Sequence, residues 1–138
     1  MITRINHIAI VATDLDEATG FWADALGLPV SRVADVPDEA VRVAFLPVGE
    51  SNIELLQPTS DDSGVARYLQ KRGPGMHHIC LEVDELDVAL AQLKAANVPL
   101  IHEEPRVGHD NTRYVFIHPK GTGGVLVELY EVHGHESN

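Results

Sequence analysis

The chain has 138 residues and a formal net charge of −11, from ten Lys and Arg against twenty-one Asp and Glu. That balance argues against a sequence-independent grip on nucleic acid or an anionic membrane. One cysteine, Cys80, excludes an internal disulfide and points to a reducing compartment. No apolar run reaches the roughly 18 residues of a membrane span, and the polar Asn6-His7 pair interrupts the apolar start, so the expectation is a soluble, cytoplasmic protein without a signal segment.

In chain order, Ile5 to Val11 is short, branched and apolar, which predicts a strand. Leu15, Ala18, Trp22 and Ala25 then step at helical spacing behind Asp14, whose carboxylate suits an N-cap. Val41 to Pro47 and Asn52 to Gln57 read as strands, and a helix over about Asp62 to Arg72 is stopped by Gly73-Pro74-Gly75. The second half repeats the plan. A strand over His77 to Val83 precedes a helix capped at Asp84 and carrying Leu86, Leu90, Leu93 and Ala96, and strands follow over Arg113 to His118 and Val125 to Val132. Residues 134–138 read as a frayed tail.

The repeat is explicit in the letters. INHIAIVATDLDEA at 5–18 returns as MHHICLEVDELDVA at 76–89, with His7 and His78, and Asp16 and Asp87, both 71 residues apart. Each half ends on a strand with a Glu in an apolar run, IELL at 53–56 and VELY at 127–130. The expected organisation is one domain over 1–138: module one at about 1–60, a linking helix at 61–73, module two at 74–133, and two sheets curled around one cleft.

A lone strand Glu or His is ordinary. Both types at equivalent places in both halves point to one divalent metal held by His7, Glu54, His78 and Glu128. Two imidazoles and two carboxylates neutralise a divalent cation and leave two of six positions open for a bidentate oxygen ligand. Cobalt, manganese, nickel, zinc or magnesium would fit this donor set, and no soft-ligand cluster selects copper. His77 points away from the face of His78 and reads as structural. Cys80 shares that face, but Ala9 replaces it in the first copy, so it reads as a small hydrophobe. His102, His109, His118, His133 and His135 do not recur and read as surface or packing residues.

The paired NHIAI and HHICLEV runs, with a Glu on the late strand of each half, resemble the vicinal oxygen chelate (glyoxalase and bleomycin-resistance) superfamily, in which two βαβββ modules enclose a metal. The implied fold class is α+β with a curved mixed sheet. IELLQP at 53–58, VARYLQKRGPGMHHICLEVD at 65–84, EEPRVG at 103–108 and FIHPKGTGGVLVELYE at 116–131 narrow the resemblance to the methylmalonyl-CoA epimerase family. It implies a homodimer that interconverts (2R)- and (2S)-methylmalonyl-CoA through a metal-stabilised thioester enolate. The implied metal ligands are His7, His78 and Glu128, with Glu54 where the family has Glu or Gln. Glu128 would also serve one face of the reacting carbon.

For the other face the resemblance implies a Glu in a segment written PE-Q-G-V or PE-H-G-V. This chain has Pro37-Asp38-Glu39-Ala40-Val41, so Asp38, one methylene shorter, fills that place, with Glu39 as the alternative. The coenzyme A end would meet Lys71, Arg72, Arg113 and Lys120, the last in the HPK turn. GHDN at 108–111 departs from the family's GAHG. Two rivals share the scaffold: a glyoxalase I-type isomerase and a metal-free antibiotic-binding module.

Overall fold

The computed structural model describes residues 1–108 and 111–132, and the tail assigned to 134–138 lies outside them. Eight strands and three α-helices follow in the order β1 (Ile2–Val11), α1 (Leu15–Thr19), β2 (Arg32–Val36), β3 (Val41–Val48), β4 (Ser51–Pro58), α2 (Gly64–Arg72), β5 (Gly75–Val83), α3 (Leu86–Ala95), β6 (Arg106–Val107), β7 (Arg113–Ile117) and β8 (Val127–Glu131). Among the described residues no helix is long and apolar enough to cross a membrane.

The chain forms two compact units, His7–His77 and Met1–Asn6 with the chain from His78 onward. The boundaries differ from those expected: the first six residues count with the second module, and α2 belongs with the first. In the first unit the strands run β1-β4-β3-β2, with β1 and β4 parallel and the other neighbours antiparallel. In the second, β5-β8-β7-β6 repeats that plan with the same directions.

In the first unit α1 and α2 lie on opposite faces of the sheet, Val65, Tyr68 and Leu69 of α2 packing on Ala9, Val11, Val43 and Leu56, and in the second unit α3 covers one face, as the stepping of apolar residues requires. Leu15, Ala18 and Trp22 pack against Ala44, Leu46, Ile53 and Leu55. In the second unit Leu86, Leu90 and Leu93 pack on Val83, Val115, Ile117 and Leu129. The first helix is not regular: after Thr19 the chain widens into a π-helical turn over Gly20–Ala25, where the Leu26 amide donates to the Phe21 carbonyl at 2.9 Å. The apolar stepping survives because Trp22 still reaches the core.

The expected cap at Asp84 is corrected. Glu85 is the N-cap of α3 and makes no side-chain capping bond, while Asp84 holds the Met1 ammonium at 2.9 Å. The Leu86 amide instead donates to Glu131 Oε2 at 2.8 Å, across the sheet. The first unit does likewise, Leu15 N–H donating to Gln57 Oε1 at 2.6 Å, in addition to the Asp14 cap. Gln57 and Glu131 each stand three residues after the repeated Glu, so the last strand of each module anchors its helix.

β2 and β6 complete the βαβββ plan in each module, although the residue pattern does not locate them. β2 reads RVADV and is mostly exposed, and β6 has two residues, so neither carries an apolar stripe. Both are edge strands, which need only one hydrogen-bonded neighbour.

Candidate functional site

Strand register carries the four predicted ligands to equivalent places. Ala9 pairs with Glu54 across β1 and β4, and Cys80 pairs with Glu128 across β5 and β8. Paired positions share a face, and alternation adds His7 to the face of Ala9 and His78 to that of Cys80. Each unit therefore presents one His and one Glu together, on the face opposite α1 in the first unit and opposite α3 in the second. His7 Nδ1 lies 3.2 Å from Glu54 Oε2, and His78 Nε2 lies 3.2 Å from Glu128 Oε1.

His7, His78 and Glu128 are buried, and Glu54 is largely so. Burial pushes the pKa of the His78 imidazole down to about 4, so near neutral pH the ring is uncharged, the form that ligates a metal. Ligand atoms about 2.1 Å from a metal and at right angles to each other sit about 3.0 Å apart. Both His–Glu pairs match that spacing, so the residues of each pair fit adjacent positions on a divalent ion. A second buried carboxylate on the His78 face, Glu82, is engaged otherwise: Arg4 Nε and Asn6 Nδ2 each donate to its Oε1 at 3.1 Å.

The register also shows two residues that motif reading passed over. Phe45 is the cross-strand partner of Glu54, and Phe116 that of Glu128. They are 71 residues apart, the offset of the two histidines, and that signal was present in the sequence. The Phe116 ring meets the His78 ring edge-on, with centroids 5.2 Å apart. On its outer side each Phe has a basic neighbour, for which the repeat gave no sign. The Arg32 guanidinium lies 4.3 Å over the Phe45 ring, and the His102 ring is 5.8 Å from Phe116.

Asp38 and Glu39 lie exposed on a 3₁₀ turn, Pro37–Glu39. Among the described residues Asp38 makes no hydrogen bond or ion pair, whereas Glu39 is engaged. Ala40 closes the turn in the left-handed region at φ 53°, ψ 49°. This explains the Gly of the family segment: the position demands a conformation that costs a non-glycine residue about 1–2 kcal/mol.

Of the four basic residues expected at the coenzyme A end, Arg113 is corrected. Its Nε donates to Glu131 Oε1 at 3.0 Å and its Nη2 to Asp87 Oδ2 at 3.1 Å, on the helix-covered face opposite Glu128. These carboxylates raise its pKa further, and its charge serves the anchor of α3. Lys71, Arg72 and Lys120 are exposed, with Arg72 5.7 Å from the Tyr68 ring. His77 packs edge-on against Tyr68 at 4.9 Å. Within GHDN, His109 and Asp110 lie outside the described residues, as do His133 and His135.

Two paired-strand modules, each with a largely buried His–Glu pair at one register position, define the class. Residues 6–116 match the Glyoxalase/Bleomycin resistance protein/Dioxygenase superfamily, and the chain belongs to it. Human mitochondrial methylmalonyl-CoA epimerase is 42% identical over 127 residues, 91% of this chain and 72% of its own. The ethylmalonyl-CoA/methylmalonyl-CoA epimerase of Cereibacter sphaeroides is 39% identical over 134 residues, covering 96% of this chain and all of that one. A methylmalonyl-CoA epimerase solved with methylmalonyl-CoA and NH4+ superposes with a TM-score of 0.87 at 35% identity, covering 97% of both chains. Within the superfamily the chain is therefore a member of the methylmalonyl-CoA epimerase family.

Proposed function

We propose that this chain interconverts (2R)- and (2S)-methylmalonyl-CoA, with both modules acting as one domain over 1–138. The observation that carries the reading is the buried His–Glu pair at one register position in each unit. His7, Glu54, His78 and Glu128 would together hold one divalent metal, cobalt first. When bound, the ion would supply positive charge beside the thioester oxygen, where negative charge develops as the α proton leaves.

The chain's own residues do the remaining work. Glu128 exchanges a proton with one face of the α carbon. A carboxylate of the Pro37–Ala40 turn serves the other face, Asp38 first because it stands where the family segment has its Glu, with Glu39 as the alternative. Lys71, Arg72 and Lys120 are the candidates for the coenzyme A phosphates, while Arg113 drops out. By the family's habit the protein acts as a homodimer. A cytoplasmic location fits its single cysteine, although the human relative is named as mitochondrial.

The test is exchange of the α proton of methylmalonyl-CoA in deuterated water, followed by proton NMR with metal-loaded and chelator-treated protein. Metal-dependent exchange above the protein-free rate is the expected result. A metal-loaded protein without exchange would retain the scaffold and remove the substrate. A protein that binds no divalent ion would favour the antibiotic-binding rival.

A further inference from the structure

Phe116 stands next to both second-unit ligands, yet β8 does not hold its backbone in place. Its carbonyl accepts from Ile101 N–H at 3.0 Å and from His102 N–H at 3.4 Å, and its amide donates to His102 Nδ1 at 3.1 Å. In an antiparallel ladder a residue's N–H and C=O point to the same side, so those of Phe116 face away from β8. Phe116 and Glu128 therefore form a non-hydrogen-bonded pair, the kind whose side chains approach most closely. What fixes Phe116 comes from the outer edge.

That edge is broken. Residues 99–102 run beside the end of β7, with the His118 amide donating to the Pro99 carbonyl at 3.0 Å and a bridge between Leu100 and Ile117. β6 then pairs only with Arg113 and Tyr114. Between the two pieces the His102 imidazole takes the place of a strand carbonyl. Accepting at Nδ1 requires that nitrogen to be unprotonated. Partial burial, helped by Arg106, lowers the pKa of His102 and favours that state. The ring also packs edge-on against Tyr114 and Phe116, with centroids 5.9 and 5.8 Å away.

We propose that His102 is a positioning residue for the His78–Glu128 pair, acting through Phe116: its Nδ1 fixes the Phe116 backbone, and the Phe116 ring fixes the His78 imidazole and flanks the Glu128 carboxylate. The inference rests on the metal reading above. It assigns a role to a histidine that the repeat left unexplained. In this role His102 acts through Phe116 and is not itself a ligand, although the Glu128 carboxylate is near enough to oppose the lowering of its pKa.

The test titrates Co2+ alone into the metal-free full-length protein and follows both affinity and the visible absorption of bound cobalt. His102→Leu is expected to weaken cobalt binding about 10- to 100-fold, the usual effect of removing a group that orients a ligand, and to alter the absorption bands. His102→Asn, whose Oδ1 can accept the same amide, is expected to retain wild-type affinity. Phe116→Leu should weaken binding as His102→Leu does, and the double variant no further, because the two act in series.

Wild-type cobalt affinity in His102→Leu, with only a lower Tm, would overturn this inference and leave the metal reading intact. Weak binding in His102→Asn would overturn it as well, as would an unaffected Phe116→Leu, and these two variants decide the matter if His102→Leu does not fold. Failure of the wild-type protein to bind cobalt would overturn the metal reading itself.

Discussion

The two units support the same Phe–Glu pair by different means. In the first, β2 spans five residues, and the Ser31 amide at its entrance donates to the Phe45 carbonyl at 2.8 Å, with Arg32 lying over the ring. In the second, β6 has two residues and stops short of Phe116, so a side chain, His102, completes the edge. The positions that match between the units, His, Phe, Glu and the helix anchor at Gln57 or Glu131, are those set by register. What differs is the outer rim: backbone amides reach the Phe carbonyl in both units, but in the second an imidazole accepts from the Phe116 amide. A side chain can be deleted without cutting a strand, so the second unit is the more easily perturbed.

The sharpest way to break the equivalence is at the carboxylates. Glu128→Gln removes a group assigned to both metal and proton, and α-proton exchange is expected to fall about 10²- to 10⁴-fold. Glu54→Gln replaces one oxygen ligand by another and should cost far less in the same assay. Equal losses would show that the units share the acid–base work.

A smaller effect concerns the metal-free protein. His78 has a folded pKa of about 4 against an ordinary 6.5, so protonation favours the unfolded chain. Its burial costs nothing above pH ~6.5 and destabilises by about 1.4 kcal/mol per pH unit below that, until the folded pKa is reached. Denaturant unfolding between pH 7 and 4 should therefore show a steeper loss for wild type than for His78→Gln. Parallel curves would show that the imidazole is better solvated than its burial indicates.

The helix anchors give the next step down. Glu131→Ala strips the acceptor from the Leu86 amide and leaves Arg113 without one of its two carboxylates, at a cost of about 2–3 kcal/mol. Gln57→Ala removes a neutral acceptor from Leu15 and should cost about 1 kcal/mol, measured by urea unfolding. The smallest change runs the other way. Ala40→Gly relieves a left-handed residue and is expected to stabilise by about 0.5–1 kcal/mol, less than the strain itself because glycine gives the unfolded chain more freedom.

Much of this was legible in the sequence because the duplication wrote it twice. His7, His78, Glu54 and Glu128 stood out by offset, and Leu86, Leu90 and Leu93 by helical spacing. Phe45 and Phe116 obey the same offset but escaped notice, since an aromatic residue in a strand usually signals only core. β2 and β6 carried no apolar alternation, so nothing local marked them. Arg113 reads as a free cation in the sequence, and only the pairing of β7 with β8 reveals that Glu131 lies beside it. The role of His102 depends on a gap in an edge strand, a tertiary fact with no local signature.

Nine residues separate Phe45 from Glu54, and twelve separate Phe116 from Glu128. Both hairpins nevertheless keep the same Phe–Glu register, so the three additional residues are absorbed at the tip, in the turn around Pro119–Gly121. Nature has in effect already run an insertion experiment there. A reporter peptide grafted between Gly123 and Gly124 would inherit that tolerance, whereas the same graft in the Pro37–Ala40 turn would displace Asp38.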